Sequence, residues 1–357
     1  MSGITLLEFI GALAALIIIH ELGHLIVARL LKVEVEEFGI GLPPRLFKMF
    51  RLGGIDFTLN ALPLGGFMRP KGENDPSIPG GLAAAKPAVR IAVYAAGPLF
   101  NVIVAVLLYT AIFVWIGAPD TARQNVVLIN GVSLNSPAEQ AGFKVGDIIL
   151  KVNDQTIDST TKLTDIVTEN RGKEITVEYQ RGDTISQVKV TPRQTPPPNE
   201  GAMGVIIGTP TKPLSIFVAF PEALVSTYRH SQALVMMVSD TIRGLVPANQ
   251  GRLVGLKGMY DMYAQATQDD GQTGFPRQVN VAAFFTSVTI SLGMLNLLPI
   301  PALDGGRILL ALPELVLRRR VPPKYETILI AVSFALLLFL LLAVNIRDFI
   351  DPVSLPK

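Results

Sequence analysis

The chain has 357 residues, 49% of them hydrophobic, a formal net charge of +2 and no cysteine. So small a charge, with no basic run interleaved with aromatics, argues against a nucleic-acid partner. Without cysteine there are neither disulfides nor thiolate chemistry, and the gathering of apolar residues into blocks points to a membrane protein carrying a more polar insert.

The first block, residues 4–31, is long enough to cross a bilayer, which takes roughly 20 apolar residues. Its lack of a basic flank and a small-residue cleavage site makes it a retained span rather than a signal peptide. Inside it lies His20-Glu21-Leu22-Gly23-His24. Residues four apart share a helix face, so His20 and His24 can offer imidazole nitrogens to one ion, while Glu21 stands where it can take a proton from water at that ion. Each ionisable group costs ~2.5 kcal/mol or more at the bilayer centre unless it is paired, coordinated or wetted, which marks the cluster as a functional site. Gly23 leaves room for another helix or a substrate backbone.

Three further apolar runs, at 89–116, 281–298 and 328–344, complete a set of about four predicted spans. Basic residues gather in the connections after the first span (Lys32, Arg45, Lys48, Arg51, Arg69, Lys71, Lys86) and after the third (Arg318, Arg319, Arg320, Lys324). Those loops are expected to be cytoplasmic, with both termini and the long connection between spans two and three outside. The metal motif then falls in the cytoplasmic half of the membrane, roughly 24 Å along the first helix.

The outer connection reads as two parts. Short β-like runs at 126–129, 148–152, 175–179, 188–190 and 205–207, separated by turn residues, predict a small β-rich domain over 125–210. Residues 192–198 read as a stiff proline connector, and 214–268 as amphipathic helices lying on the membrane face. His230 falls there and is read as a surface residue. The expected organisation is 1–124, 125–210, 211–280 and 281–357.

A zinc ion held by two histidines needs a third protein ligand if one position is to stay open for catalysis. Asp304 is the best donor. It lies where the third span is broken by Pro299, Pro301, Gly305 and Gly306, a break tolerated at membrane depth only where backbone lines an enclosed or watered cavity. A plain N-cap for the next helix is the competing role.

Taken together, His20-Glu21-Leu22-Gly23-His24 and Asn296-Leu297-Leu298-Pro299-Ile300-Pro301-Ala302-Leu303-Asp304-Gly305 resemble the signature of the bacterial site-2 proteases, intramembrane zinc metalloproteases with one PDZ domain. Residues 136–155 resemble a bacterial PDZ core, with a second helix expected at 160–170. By this resemblance the fold is a polytopic α-helical membrane protein of about four transmembrane helices, N-out and C-out. A membrane-associated β-hairpin and an inserted extracytoplasmic PDZ domain complete it. The location implied is the bacterial inner membrane.

The resemblance also makes His20, His24 and Asp304 the Zn2+ ligands, Glu21 the general acid/base, and Asn296 a contact for substrate backbone. Residues 55–67 resemble the family's hairpin, so Phe57, Thr58, Leu59, Asn60 and Ala61 are expected to offer a free strand edge to an unwinding substrate. Gly97-Pro98-Leu99-Phe100-Asn101 resembles its Gly-Pro-x-x-Asn motif, whereas Gly255-Leu256-Lys257-Gly258 departs from the family's usual Gly-Pro-Val-Gly. Substrates implied are single-span membrane proteins such as anti-sigma factors or signal-peptide remnants, with the lipid bilayer as surroundings and a substrate C-terminus as candidate PDZ ligand. A PDZ-bearing membrane scaffold with a vestigial metal site is the alternative.

Overall fold

The structure is a computed structural model that describes residues 3–197, 200–245, 253–267 and 276–351. Pro198 of the proline connector, and residues 246–252 and 268 of the stretch read as surface helices, lie outside these. The chain divides into two compact units, the first built on Met1–Leu108, Leu224–Tyr260 and Phe285–Asp351, the second on Tyr109–Ala223 and Asp261–Phe284.

Four helices are long and apolar enough to cross a membrane: α1 (Gly3–Leu30), α2 (Pro87–Trp115), α7 (Arg277–Asn296) and α9 (Pro323–Ile350). They agree with the four apolar runs in the sequence. Proline opens α2 and α9, where a missing N–H costs nothing. Along α9 the exposed Phe334, Leu336, Phe339 and Leu342 suit hydrocarbon rather than water. The buried stripe of α1 is Phe9, Leu16, His20, Gly23, His24 and Ala28, the one-face spacing of a helix packed on one side. At Gly23 an added Cβ would stand 2.7 Å from the Ala96 carbonyl oxygen of α2, so glycine sets how closely the two helices approach.

After α1 come β1 (Val35–Leu52) and β2 (Ile55–Pro70), paired with each other. The sequence announced only part of this. Residues 35–40 pair on one side with 66–70, running the opposite way, and on the other with 56–59, running in step. Residues 56–60 in turn pair with 45–51. Each strand is therefore bent on itself, giving the order 66–70, 35–40, 55–60, 45–52. A buried polar knot pins this register. The carboxylate of Glu37 accepts from the Thr58 hydroxyl at 2.8 Å and pairs with Arg45 at 2.8 Å and Arg69 at 2.9 Å. Burial pushes the Glu37 carboxyl up, but the Thr58 hydroxyl and the two guanidinium groups outweigh it and hold the carboxyl below its usual range. Val33, Phe38, Ile55 and Leu82 join Leu25 and Ala28 of α1 and Val93 of α2 in one apolar cluster that seats the sheet on the helices.

The next elements are β3 (Ala118–Pro119), β4 (Val127–Val132), α3 (Pro137–Gln140), β5 (Ile148–Val152), β6 (Gln155–Thr156), α4 (Thr160–Glu169), β7 (Ile175–Arg181), β8 (Thr184–Val190), β9 (Val205–Gly208) and β10 (Thr211–Lys212). The main sheet runs β8-β7-β5-β4-β9, with β6 beside β5. Alternate residues of β4 are buried, as a one-sided strand requires. They join Ile149, Val152, Leu163, Ile175 and Val177 in a second core. Ser136 and Ser159 cap α3 and α4, their side chains accepting from backbone N–H groups.

The remaining helices are α5 (Ile216–Ile242), α6 (Leu256–Ala266) and α8 (Asp304–Leu317). Along α5 an exposed stripe of Phe217, Phe220, Leu224 and Tyr228 has helical spacing. The departing Gly255-Leu256-Lys257-Gly258 segment starts α6. Asp348 of α9 accepts from the N–H groups of Gly255 at 2.7 Å and Gly258 at 3.2 Å, and Asn345 from Leu256 at 3.0 Å. A carboxylate from another helix thus satisfies the orphan donors of this helix start.

Candidate metal centre

One helix break and one helix interior bring the three side chains together. α1 is uninterrupted through His20 and His24, so both imidazoles project from one face, one turn apart. α8 begins at Asp304 because the preceding chain, rich in proline, cannot continue α7. An added Cβ on Gly305 or Gly306 would overlap the carbonyls of Leu297 and Ile300, so only glycine lets the turn fold against the new helix.

These elements bring His20, His24 and Asp304 together. The two Nε2 atoms are 3.2 Å apart, and Asp304 Oδ2 lies 3.2 Å from His20 Nε2 and 3.5 Å from His24 Nε2. With ligand distances of about 2.0–2.2 Å, neighbouring corners of a tetrahedron are separated by about 3.3–3.6 Å. The three donors match three such corners. The helix start has no side-chain cap, so the Asp304 carboxylate faces the imidazoles rather than serving as an N-cap. Gly97 of α2 leaves the space: an added Cβ there would overlap His24 Nε2 and come 2.7 Å from His20 Nε2. Donor set, spacing and cleared volume all fit a zinc ion.

Backbone and amide groups orient the ligands. His24 Nδ1 donates to the Val93 carbonyl at 2.7 Å, which leaves Nε2 as the bare nitrogen. His20 Nδ1 lies 3.1 Å from the Asn101 side-chain amide. Glu21 Oε2 accepts from the Met68 N–H at 3.0 Å, so the sheet holds the carboxylate in place. His20, Glu21, His24 and Asp304, with Asn296, line one cavity of about 480 Å³, and the Asn296 amide nitrogen stands 3.5 Å from His20 Nε2.

Phe57, Thr58, Leu59, Asn60 and Ala61 do not belong to this constellation. Residues 57–59 have strand neighbours on both sides, Thr58 is fully buried, and the Asn60 amide donates to the Ile40 and Gly41 carbonyls. The expectation of a free edge is corrected for residues 57–59, which lie between two strands of the bent sheet; Asn60 has a strand partner on one side, Arg45. The segment nearest Glu21 is 66–70, which pairs on one side only among the described residues. The sequence reading did not single out Val93 or Met68, because their contribution is a backbone group that any residue carries. His230 stands in α5 and is not among the residues that line this cavity.

Comparison with known proteins bears on the whole chain. The family model described as peptidase family M50 matches residues 8–340. A candidate zinc metalloprotease of Clostridium perfringens is 30% identical, covering 96% of this chain and 97% of its own. The regulator of sigma-W protease RasP of Bacillus subtilis is 26% identical over 96% and 98%, and the metalloprotease MmpA of Caulobacter vibrioides 27% over 95% and 94%. A solved PDZ domain from Listeria monocytogenes covers 23% of this chain and 87% of its own at 18% identity, with a TM-score of 0.21 too low to argue from. Motif, donor geometry and a match along nearly the full length agree, and the chain belongs to peptidase family M50, a zinc metalloprotease of the site-2 type.

Proposed function

We propose that this metalloprotease cuts single-span membrane proteins within or beside their transmembrane segment. The observation that carries the reading is a zinc-spaced His20, His24, Asp304 triad sharing one cavity with Glu21, with both histidines and Glu21 on a helix long and apolar enough to cross a bilayer. Zinc, when bound, supplies Lewis acidity to the scissile carbonyl and to the attacking water. Glu21 takes the proton from that water and returns it to the leaving amine. Its hold on the Met68 N–H keeps the carboxylate at the cavity, and Asn296 offers an amide to substrate backbone there.

A peptide bond must be extended to be cut, so a substrate helix has to open and needs partners for its freed groups. The outer edge of residues 66–70 can provide them, with the Met68 N–H already turned towards Glu21. The basic residues after the first and third spans support a centre in the cytoplasmic half of a bacterial inner membrane, with the β-rich unit outside. That unit carries the PDZ-like sequence. Its role is that of a filter against substrates that keep a bulky outer domain, so that cleavage follows trimming by another protease. The sigma-W regulator among the relatives supports membrane-held anti-sigma factors as one substrate class.

Replacing Glu21 tests the chemistry. Glu21→Gln keeps shape and ligands but removes the proton acceptor, so zinc content should stay at wild type while cleavage of a reconstituted single-span substrate falls by about 10²-fold or more. Wild-type turnover by this variant would remove Glu21 from the mechanism.

A further inference from the structure

Gly97 and Asn101 lie four residues apart on α2 and so share a face. Gly97 makes room for both imidazoles, whereas the purpose of Asn101 is not explained by packing. Asn101 is fully buried, its amide nitrogen stands 3.1 Å from His20 Nδ1, and its Oδ1 is buried without a hydrogen-bond partner among the described residues. Its backbone carbonyl is fixed by the Thr289 hydroxyl at 3.2 Å, so the residue is anchored while its carboxamide is held by the histidine alone.

A carboxamide has a donor end and an acceptor end that exchange by a half-turn about its last bond. With nitrogen towards Nδ1 it donates, and the imidazole hydrogen then sits on Nε2, pointing at Asp304. With oxygen towards Nδ1 it accepts, the hydrogen stays on Nδ1, and Nε2 is bare. The second ligand needs no such choice, since the Val93 carbonyl can only accept and fixes the His24 tautomer. We infer that Asn101 is the positioning residue of the centre: its carboxamide, turned oxygen-first, sets the His20 tautomer that binds zinc. The inference rests on the zinc reading of the site and adds to it a residue that touches no substrate.

The test uses the full-length protein in detergent, with wild type, Asn101→Leu and Asn101→Asp compared as monodisperse, helical samples. Zinc affinity is measured by competition with a chelator, and the protonated nitrogen of His20 is read from ¹⁵N shifts in the zinc-free state. Leucine keeps the bulk and loses the acceptor, so its zinc affinity should fall about 10- to 100-fold, the usual effect of removing the partner of a ligating histidine. Aspartate can only accept, so it should hold zinc at least as tightly as wild type and place the His20 hydrogen on Nδ1 even without metal. A role in helix packing alone would lower the stability of both variants and leave zinc affinity and the His20 shifts unchanged, and that result overturns the inference. If Asn101→Leu does not fold, a His20 hydrogen found on Nε2 in Asn101→Asp does the same. Wild type that holds no zinc would instead count against the metal centre itself.

Discussion

At the scale of single residues the centre depends on a choice between two fates for Asp304. A carboxylate at a helix start ordinarily caps it, yet here the start has no side-chain cap and Oδ2 lies 3.2 Å from His20 Nε2. The carboxylate faces the imidazoles, and an amide in its place is a poorer ligand for zinc. Asp304→Asn should therefore lose zinc on dialysis against a weak chelator under conditions where wild type keeps one ion per chain, with proteolysis lost in parallel. Equal zinc content in the two proteins would remove Asp304 from the ligand set. His20, Glu21, His24 and Asp304 were legible in the sequence because their types and spacing are themselves the chemistry. The tautomer-setting partners were less so. Asn101 stood in a visible motif, but its neighbour His20 is 81 positions away in the chain, and no spacing rule reaches across helices.

At the scale of elements the bent sheet is the informative part. Apolar runs near 20 residues announce membrane spans because hydrocarbon leaves the backbone no other partner, and all four spans could be read that way. A strand announces only that it is extended. The stretch 35–52 carries Pro43, Pro44, Arg45 and Lys48 and lacks clean alternation, so it read as a basic loop. Its two-sided pairing with 55–70 comes from long-range contacts such as the Glu37 knot. The consequence is that proline acts differently at two positions of the sheet. Leu59 lies between two strands, so Leu59→Pro removes a ladder bond from the middle of the sheet and should lower Tm and folded yield. The Met68 N–H points out of the sheet, to Glu21. Met68→Pro should spare the fold yet lower kcat/KM on a single-span substrate by about 10- to 100-fold, the effect of losing a hydrogen bond of about 1.5–3 kcal/mol to a charged group. A stable Leu59→Pro, or a fully active Met68→Pro, would return the edge to residues 57–61.

At the scale of the whole molecule, the proposed catalytic residues His20, Glu21, His24 and Asp304 all belong to one compact unit, and the β8-β7-β5-β4-β9 sheet belongs to the other. The chemistry therefore has no direct need of the insert. Replacing residues 125–208 by a short flexible linker should leave zinc binding intact and permit cleavage of a substrate whose outer domain has not been trimmed. Loss of all cleavage in a deletion protein that still holds zinc would mean that the insert delivers substrate rather than filtering it.

The central claim is that a zinc ion held by these three residues cuts a peptide bond at membrane depth. It is tested most directly by reconstituting the full-length protein with a single-span substrate in liposomes, stripping metal with a chelator, restoring zinc, and determining product masses at each stage. Stripped protein should give no products, activity should return with one zinc per chain, and the new termini should lie inside the apolar segment of the substrate. Cleavage that persists without metal, or termini confined to the aqueous flanks, would contradict it.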